Sequence, residues 1–425
     1  MENSIFNEME SSVASYCRSF PALFSKASGS EIWDVEGVRR LDFLAGAGAL
    51  NYGHNHPALT AALVEYISKD GIAMSLDLHT EAKAAFLSTF AETAMSRCEL
   101  DHVVQFTGPT GTNAVEAAMK IARKVTGRTT IAAFTNGFHG MTLGALAATG
   151  NAAHRRGAGL PLPGGALLPY DGYLGPDVDT TAYFEALLCD PSSGFDRPAA
   201  VIVECVQGEG GLNVARASWL RNLSRICRAH GVLLIVDDIQ AGCGRSGGFF
   251  SFERADIVPD IVTLSKSLSG SGLPMSIVLI RRDLDQWEPG EHNGTFRGNN
   301  LAFVTARAAL ELFWRDDTFE LEIARKAKRV HEALAVIAED HPGVFAGQKG
   351  IGMMQGLLCV DAERAAAICG AAYERGLIIE RAGPRDEVLK VFAPLTTPLA
   401  QLDEGLAILA EAVDVTSGQS CRNVA

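Results

Sequence analysis

The sequence predicts an α/β fold: a mostly parallel central sheet with helices on both faces, joined to a smaller α+β domain. Three observations predict it. Short, mainly apolar runs recur through the middle of the chain, at Ala199–Glu204, Val232–Val236 and Ile261–Leu264. Segments of helical periodicity lie between such runs, as Ala217–His230 does between the first two. From about Leu301 the pattern changes to long helices with only two short strand candidates. Strands covered on both faces read as continuous apolar runs, and the intervening helices supply the cover.

Each element follows in order. The opening stretch contains IWDVEGVRRLDF, a hairpin-like pattern, and residues 1–56 are expected to join the smaller domain. Residues 57–305 form the large domain. Within it Thr112–Lys124 has a helical pattern, followed by a strand candidate at Thr130–Phe134. Gly157–Gly165 is rich in glycine and proline and reads as a loop. The helix Ala217–His230 is closed by Gly231, a residue that tolerates the left-handed end of a helix. Residues 306–425 form the rest of the small domain. Helical patterns at Ala302–Phe313 and Ile323–Glu339 lead into it, and strands are expected at Leu377–Ile379 and Leu389–Phe392. The tail Ser417–Ala425 is expected to fray. No internal repeat is visible.

Composition narrows the function. A chain of 425 residues, 47% hydrophobic and 20% charged, has the balance of a globular protein. A net charge of −13 argues against nucleic acid, whose phosphates need a basic surface. No apolar run approaches the roughly 18 residues of a membrane span. Nine scattered cysteines without a CxxC pair argue against a disulfide framework and a metal site. The polar start MENSIFNEMESS resembles no export signal, so a cytoplasmic location is expected.

In such sheets ligands collect beyond the carboxyl ends of the strands, which selects the loops to read. VDDIQAGCGRSG delivers Asp237 and Asp238 at a strand end. They either meet a cation and hydrogen bonds, or one caps the next turn while the other is solvated. GPTGTNAVEAAMK places Gly108 and Gly111 for tight turning, and Thr110 and Thr112 at a helix start suited to an anion. An ordinary threonine cap is the alternative. NGFHG offers the flat faces of Phe138 and His139. ECVQGEGG carries Glu204 and Glu209, either of which is open to a plain turn role. DIVTLSKSLSGSG sets Lys266 past a strand among Ser265, Ser267 and Ser269, small residues with hydroxyls to offer. Each signal is weak alone. A lysine, an aspartate, a phosphate-type turn and an aromatic at neighbouring strand ends are together the set that pyridoxal 5′-phosphate requires.

These segments, with SYCRSFP, FLAGAGALNYGHNHP, LSKSLSGSGLPMS and NGTFRGNN, resemble the class III, fold-type I, pyridoxal-phosphate-dependent aminotransferases over nearly the full length. The Asp237–Asp238 pair, where the class usually has Asp–Glu, matches the subgroup that passes the amino group of glutamate to aspartate 4-semialdehyde in ectoine biosynthesis, giving diaminobutyrate. The resemblance implies that Lys266 is the Schiff-base lysine and Asp237 the partner of the ring nitrogen. It implies that Gln240 lies near the ring 3′-oxygen, that Phe138 stacks on the ring with His139 beside it, and that Thr110, Gly111 and Thr112 hold the phosphate. Thr295 corresponds to the threonine that reaches the phosphate across an interface, which implies a homodimer with shared sites, or a tetramer of such dimers. Glu209 matches a gatekeeping glutamate. Lys390 stands where the class has a carboxylate-binding arginine, which leaves Lys390 or Arg297 to hold the carboxylate of glutamate. Alternatives are a class III enzyme acting on ornithine, 4-aminobutyrate or another diamine, and a non-catalytic binding protein on the same fold.

Overall fold

The computed structural model describes residues 4–420. Three strands open the chain: β1 (Phe24–Ser28), β2 (Glu31–Asp34) and β3 (Arg39–Asp42). β2 and β3 are the expected hairpin, paired antiparallel from Trp33–Arg39 to Glu31–Leu41.

The central sheet contains β4 (His102–Phe106), β5 (Ile131–Phe134), β6 (Gly165–Leu168) and β7 (Ala200–Val203). A short hairpin of β8 (Val206–Gln207) and β9 (Asn213–Val214) intervenes. Then come β10 (Leu233–Asp237), β11 (Ile261–Leu264) and β12 (Ile277–Arg281), giving the order β4-β12-β11-β10-β7-β5-β6. Its pairings are parallel except those of β12, which runs against both β11 and β4. β5, β7, β10 and β11 are buried at every position, as strands between two helical layers must be. The sequence reading found these four. It missed β4 and β6, the partly exposed strands at the two edges of the sheet, and β12.

Helix Gly111–Thr126 buries Ala114, Val115, Ala117, Ala118, Met119, Ile121 and Ala122. Its small residues let it lie close on the sheet. It ends at Gly127, in the left-handed region at φ 68°. Helix Ala217–Ala229 presents Trp219, Leu220, Leu223, Ile226 and Cys227 to the core.

The last strands are β13 (Phe345–Ile351), β14 (Met354–Cys359), β15 (Leu377–Ile378), β16 (Glu380–Ala382) and β17 (Val388–Val391). β13, β14, β17 and β16 form one antiparallel sheet, while β15 pairs parallel with β3 in the opening sheet. The two ends of the chain therefore share a sheet. β13 and β14 went unread because their glycines break the alternation, as in AGQKGIGMMQG. The expected fraying at Ser417 is corrected up to Ser420, because the final helix runs Leu399–Ser420; residues 421–425 lie outside the described residues. Among the described residues no helix is long and apolar enough to cross a membrane.

Candidate active site

β10 delivers its charge into the core rather than to the rim. Asp237 Oδ2 lies 2.7 Å from Nδ1 of His139. Its Oδ1 accepts from Thr263 Oγ1 at 3.0 Å and from the Ile239 N–H at 3.3 Å. These partners fix the carboxylate in one orientation. Burial opposes charge on His139, yet the Asp237 carboxylate outweighs it and holds the imidazole above its usual range. His139 thus sits buried behind Asp237 rather than offering a face for stacking. Asp238 is buried too, which corrects the alternative of a solvated carboxylate. Burial pushes its carboxyl up to about 7, one oxygen accepts from the Ser251 N–H at 2.9 Å, and the other has no partner.

Lys266 follows β11 with φ 51°, a left-handed conformation that costs a lysine energy and marks a constrained site. Its Nζ donates to Ala47 O at 2.7 Å. Burial pushes the amine below the usual lysine range; Glu209 works against that shift and Lys390 adds to it. The neighbouring serines spend their hydroxyls elsewhere. Ser265 donates to Met275 O at 2.8 Å, Ser267 to Gly48 O at 2.6 Å and Ser269 to Lys266 O at 3.4 Å. They fasten the lysine loop to the opening segment and to itself.

The anion turn abuts the same place. Thr110 donates through its N–H and its hydroxyl to Asn113 Oδ1, at 3.1 and 2.8 Å. The first N–H groups of the helix that follows lack intrahelical acceptors and carry its positive dipole end. Neither Gly108 nor Gly111 has a positive φ, so the expected tight turning is corrected to close approach. A Cβ on Gly111 would come within 2.9 Å of the Ile239 side chain, and one on Gly108 within 2.6 Å of Asn113 Oδ1. Thr112 Oγ1 lies 2.8 Å from Thr142 Oγ1. Phe138 is half-buried and edge-on to His154, and its N–H donates to Glu204 Oε2 at 2.9 Å. Burial lifts the Glu204 carboxyl to about 7.

Across from these groups lies an ion cluster. Gln240 Nε2 donates to Ala47 O at 3.1 Å and to Glu209 Oε1 at 2.9 Å, so Gln240 and Lys266 share one carbonyl. Lys390 Nζ, fully buried, lies 3.1 Å from Glu209 Oε1 and 2.8 Å from Glu380 Oε1. Burial favours the neutral form of Glu209, but Lys390 and then Lys266 bring its carboxyl down to about 2. Burial equally opposes the charge on Lys390, and Glu209 and Glu380 hold it above the usual range. Gly208 leaves room for Gln240: a Cβ there would lie 1.6 Å from Gln240 Oε1 and force that side chain to move.

Two expected residues stand apart. Arg297 donates to Asp77 Oδ2 at 2.6 Å and lines a separate cleft of about 270 Å³ with Leu76 and Lys83. Thr295 is exposed on the preceding turn. Two residues were missed: Tyr16 donates its hydroxyl to Glu380 Oε2 at 3.2 Å, and Glu380 is the second partner of Lys390. The only signal for Glu380 was a charge directly after the apolar run Leu377–Ile379.

The aminotransferase class-III family matches residues 13–413. The chain belongs to the class III aminotransferases. This aminotransferase is 55% identical to the diaminobutyrate–2-oxoglutarate transaminase of Vibrio parahaemolyticus over 98% of both chains. It is 57% identical to that of Vibrio cholerae over 95% of this chain and 98% of the other. Among solved structures it resembles the ornithine aminotransferase of Toxoplasma gondii, with a TM-score of 0.85 at 26% identity, covering 98% of this chain and 95% of that one.

As a class III aminotransferase it is an enzyme that works on small molecules with pyridoxal 5′-phosphate. The residues fit that group. A lysine of lowered basicity, a carboxylate held in place by His139 and Thr263, and a helix start pressed against the Asp237 loop would supply the three kinds of contact it needs.

Proposed function

We propose that this aminotransferase moves an amino group from L-glutamate to L-aspartate 4-semialdehyde, releasing 2-oxoglutarate and L-2,4-diaminobutyrate, as ectoine biosynthesis requires. The observation that carries the substrate assignment is the identity of 52–57% to curated diaminobutyrate–2-oxoglutarate transaminases over nearly the full chain. The cofactor, when bound, supplies an electron sink that lets the substrate carbon beside the nitrogen lose its proton.

Asp237 stabilises positive charge on the ring nitrogen, and His139, bonded to its far side, keeps it oriented. Lys266 anchors the cofactor and, once freed, takes and returns the proton at the substrate carbon. An amine below the ordinary lysine range is better suited to that task at neutral pH. Thr110, Gly111 and Thr112 hold the phosphate at the helix start. Phe138 would pack on the ring and Gln240 would lie near its 3′-oxygen. Lys390 receives the α-carboxylate of glutamate when Glu209 withdraws, and Glu209 covers Lys390 when the other substrate enters. Lysine offers a point charge here rather than a fork. The enzyme acts as a homodimer in which Thr295, exposed beside the exposed Phe296, reaches the phosphate of the second copy.

The test is a screen of half-reactions: glutamate, diaminobutyrate, ornithine and 4-aminobutyrate, each followed by the loss of the cofactor's visible absorbance. Diaminobutyrate and glutamate should give the highest kcat/KM, and a higher value for ornithine or 4-aminobutyrate would reassign the substrate. Borohydride reduction followed by peptide mapping should place the cofactor on Lys266. Full turnover by Lys266→Ala would remove the lysine from the mechanism.

A further inference from the structure

A cleft of about 510 Å³ opens between residues 15–20 and β16, lined by Tyr16, Asn151, His154, Glu209, Glu380 and Asp386. Its inner end is the ion cluster. Lys390 there faces two carboxylates, Glu209 and Glu380, and has no exposed surface of its own. Lys266 is the next cation in reach of both carboxylates, yet burial still favours the neutral form of Glu380, so its charged form has room for a further donor. Arg381, which also lines the cleft, is turned to Asp386 at 3.9 Å.

We propose that Glu380, positioned by Tyr16 and Lys390, binds the ammonium group that a diamino acid carries beside its carboxylate, and so selects such acids over plain ω-amines. This rests on the reading of an ω-amine substrate above. Glu380 has one oxygen at Lys390 and the other at the Tyr16 hydroxyl, and each oxygen keeps a lone pair for a further donor. Tyr16 gives its one proton to Glu380, so its oxygen is left as an acceptor facing the cleft wall. Glu380 is close enough to Lys266 that each shifts the titration of the other, which sets the recognition group near the reacting amine. An arriving ammonium holds Glu380 in its charged form against that burial. The α-carboxylate of glutamate cannot use Glu380 and must go to Lys390, so the two substrates draw on opposite halves of one cluster.

Diaminobutyrate and 4-aminobutyrate differ only in that ammonium, which makes them the probe. Their kcat/KM values, or for a poor substrate its Ki against the glutamate half-reaction, are compared in wild type, Glu380→Gln and Tyr16→Phe. Glu380→Gln should lose roughly 10- to 100-fold more on diaminobutyrate than on 4-aminobutyrate, the range of a hydrogen bond between charged groups. Tyr16→Phe should lose about 3- to 10-fold more on diaminobutyrate, as one neutral hydrogen bond would give. An equal loss on both compounds overturns the proposal and makes Glu380 a structural partner of Lys390. Should Glu380→Gln not fold, the Tyr16→Phe ratio decides. Should wild type turn over neither compound, the substrate assignment fails by itself, and ornithine with 5-aminopentanoate, which differ by the same ammonium, decides the role of Glu380.

Discussion

Replacing Lys390 by methionine tests the ion cluster most directly, because it removes the cation and keeps the volume. The two contacts of 3.1 and 2.8 Å put the facing oxygens of Glu209 and Glu380 no more than about 6 Å apart. Two unit charges at that separation repel by about 3 kcal/mol at an effective dielectric of about 20. Breaking a buried pair by deleting one partner costs about 3–5 kcal/mol in general, which agrees with that figure. Lys390→Met should therefore lose about 3 kcal/mol or more of stability at pH 7, read by denaturant unfolding of the holoenzyme. The pH dependence fixes the cause. In wild type the Glu209 carboxyl is brought from 4.5 down to about 2, so its stabilisation is present above about 4.5 and lost as pH falls towards 2. Without Lys390, Glu209 loses the larger of its two cationic partners and burial raises the Glu380 carboxyl further, so the folded variant binds protons more readily than wild type does. The gap between variant and wild type should be widest near pH 7, narrow as pH falls to about 4.5 and close only towards pH 2. Glutamate turnover should fall about 100-fold or more with the carboxylate's partner gone. A variant as stable as wild type at pH 7, with glutamate turnover intact, would refute both the electrostatics and the assignment of Lys390.

Other positions give independent tests. Glu204→Gln should gain stability relative to wild type as pH rises from about 4.5 to about 7, because the raised carboxyl stabilises the wild type below that window and the benefit is lost through it; thermal unfolding at a series of pH values reads this. Gly208→Ala should keep the fold but displace Gln240, lowering kcat/KM about 10-fold or more with a stability loss of about 1–3 kcal/mol, measured by steady-state kinetics and unfolding. His139→Leu should leave a buried carboxylate at Asp237 short of a partner, weakening cofactor retention on dialysis and costing about 3 kcal/mol or more of stability.

What the sequence made legible was local. Lys266 and Asp237 stand at the ends of apolar runs and the turn at Thr110–Thr112 at the start of a helical pattern, so one window of residues was enough to place the first two at strand ends and the third at a helix start. The roles that went unread depend on contacts across hundreds of residues. The hydroxyls of Ser265, Ser267 and Ser269 looked available until Ser267 was found bonded to Gly48 O, 219 positions away. Asp238 looked free to be solvated because nothing in VDDIQAG says that Ser251 covers it. Tyr16 and Glu380 meet across 364 positions, and they do so because β15 pairs with β3 and so carries β16 back to the opening segment. Alternation then turns Lys390 of β17 toward the same point, opposite Glu380 in the register of the pair. A buried lysine in an apolar strand is costly unless carboxylates wait for it, and the strand pairing that brings the ends of the chain together is what supplies them. The specificity of this enzyme is therefore argued from its small sheets, while its chemistry is argued from the large one.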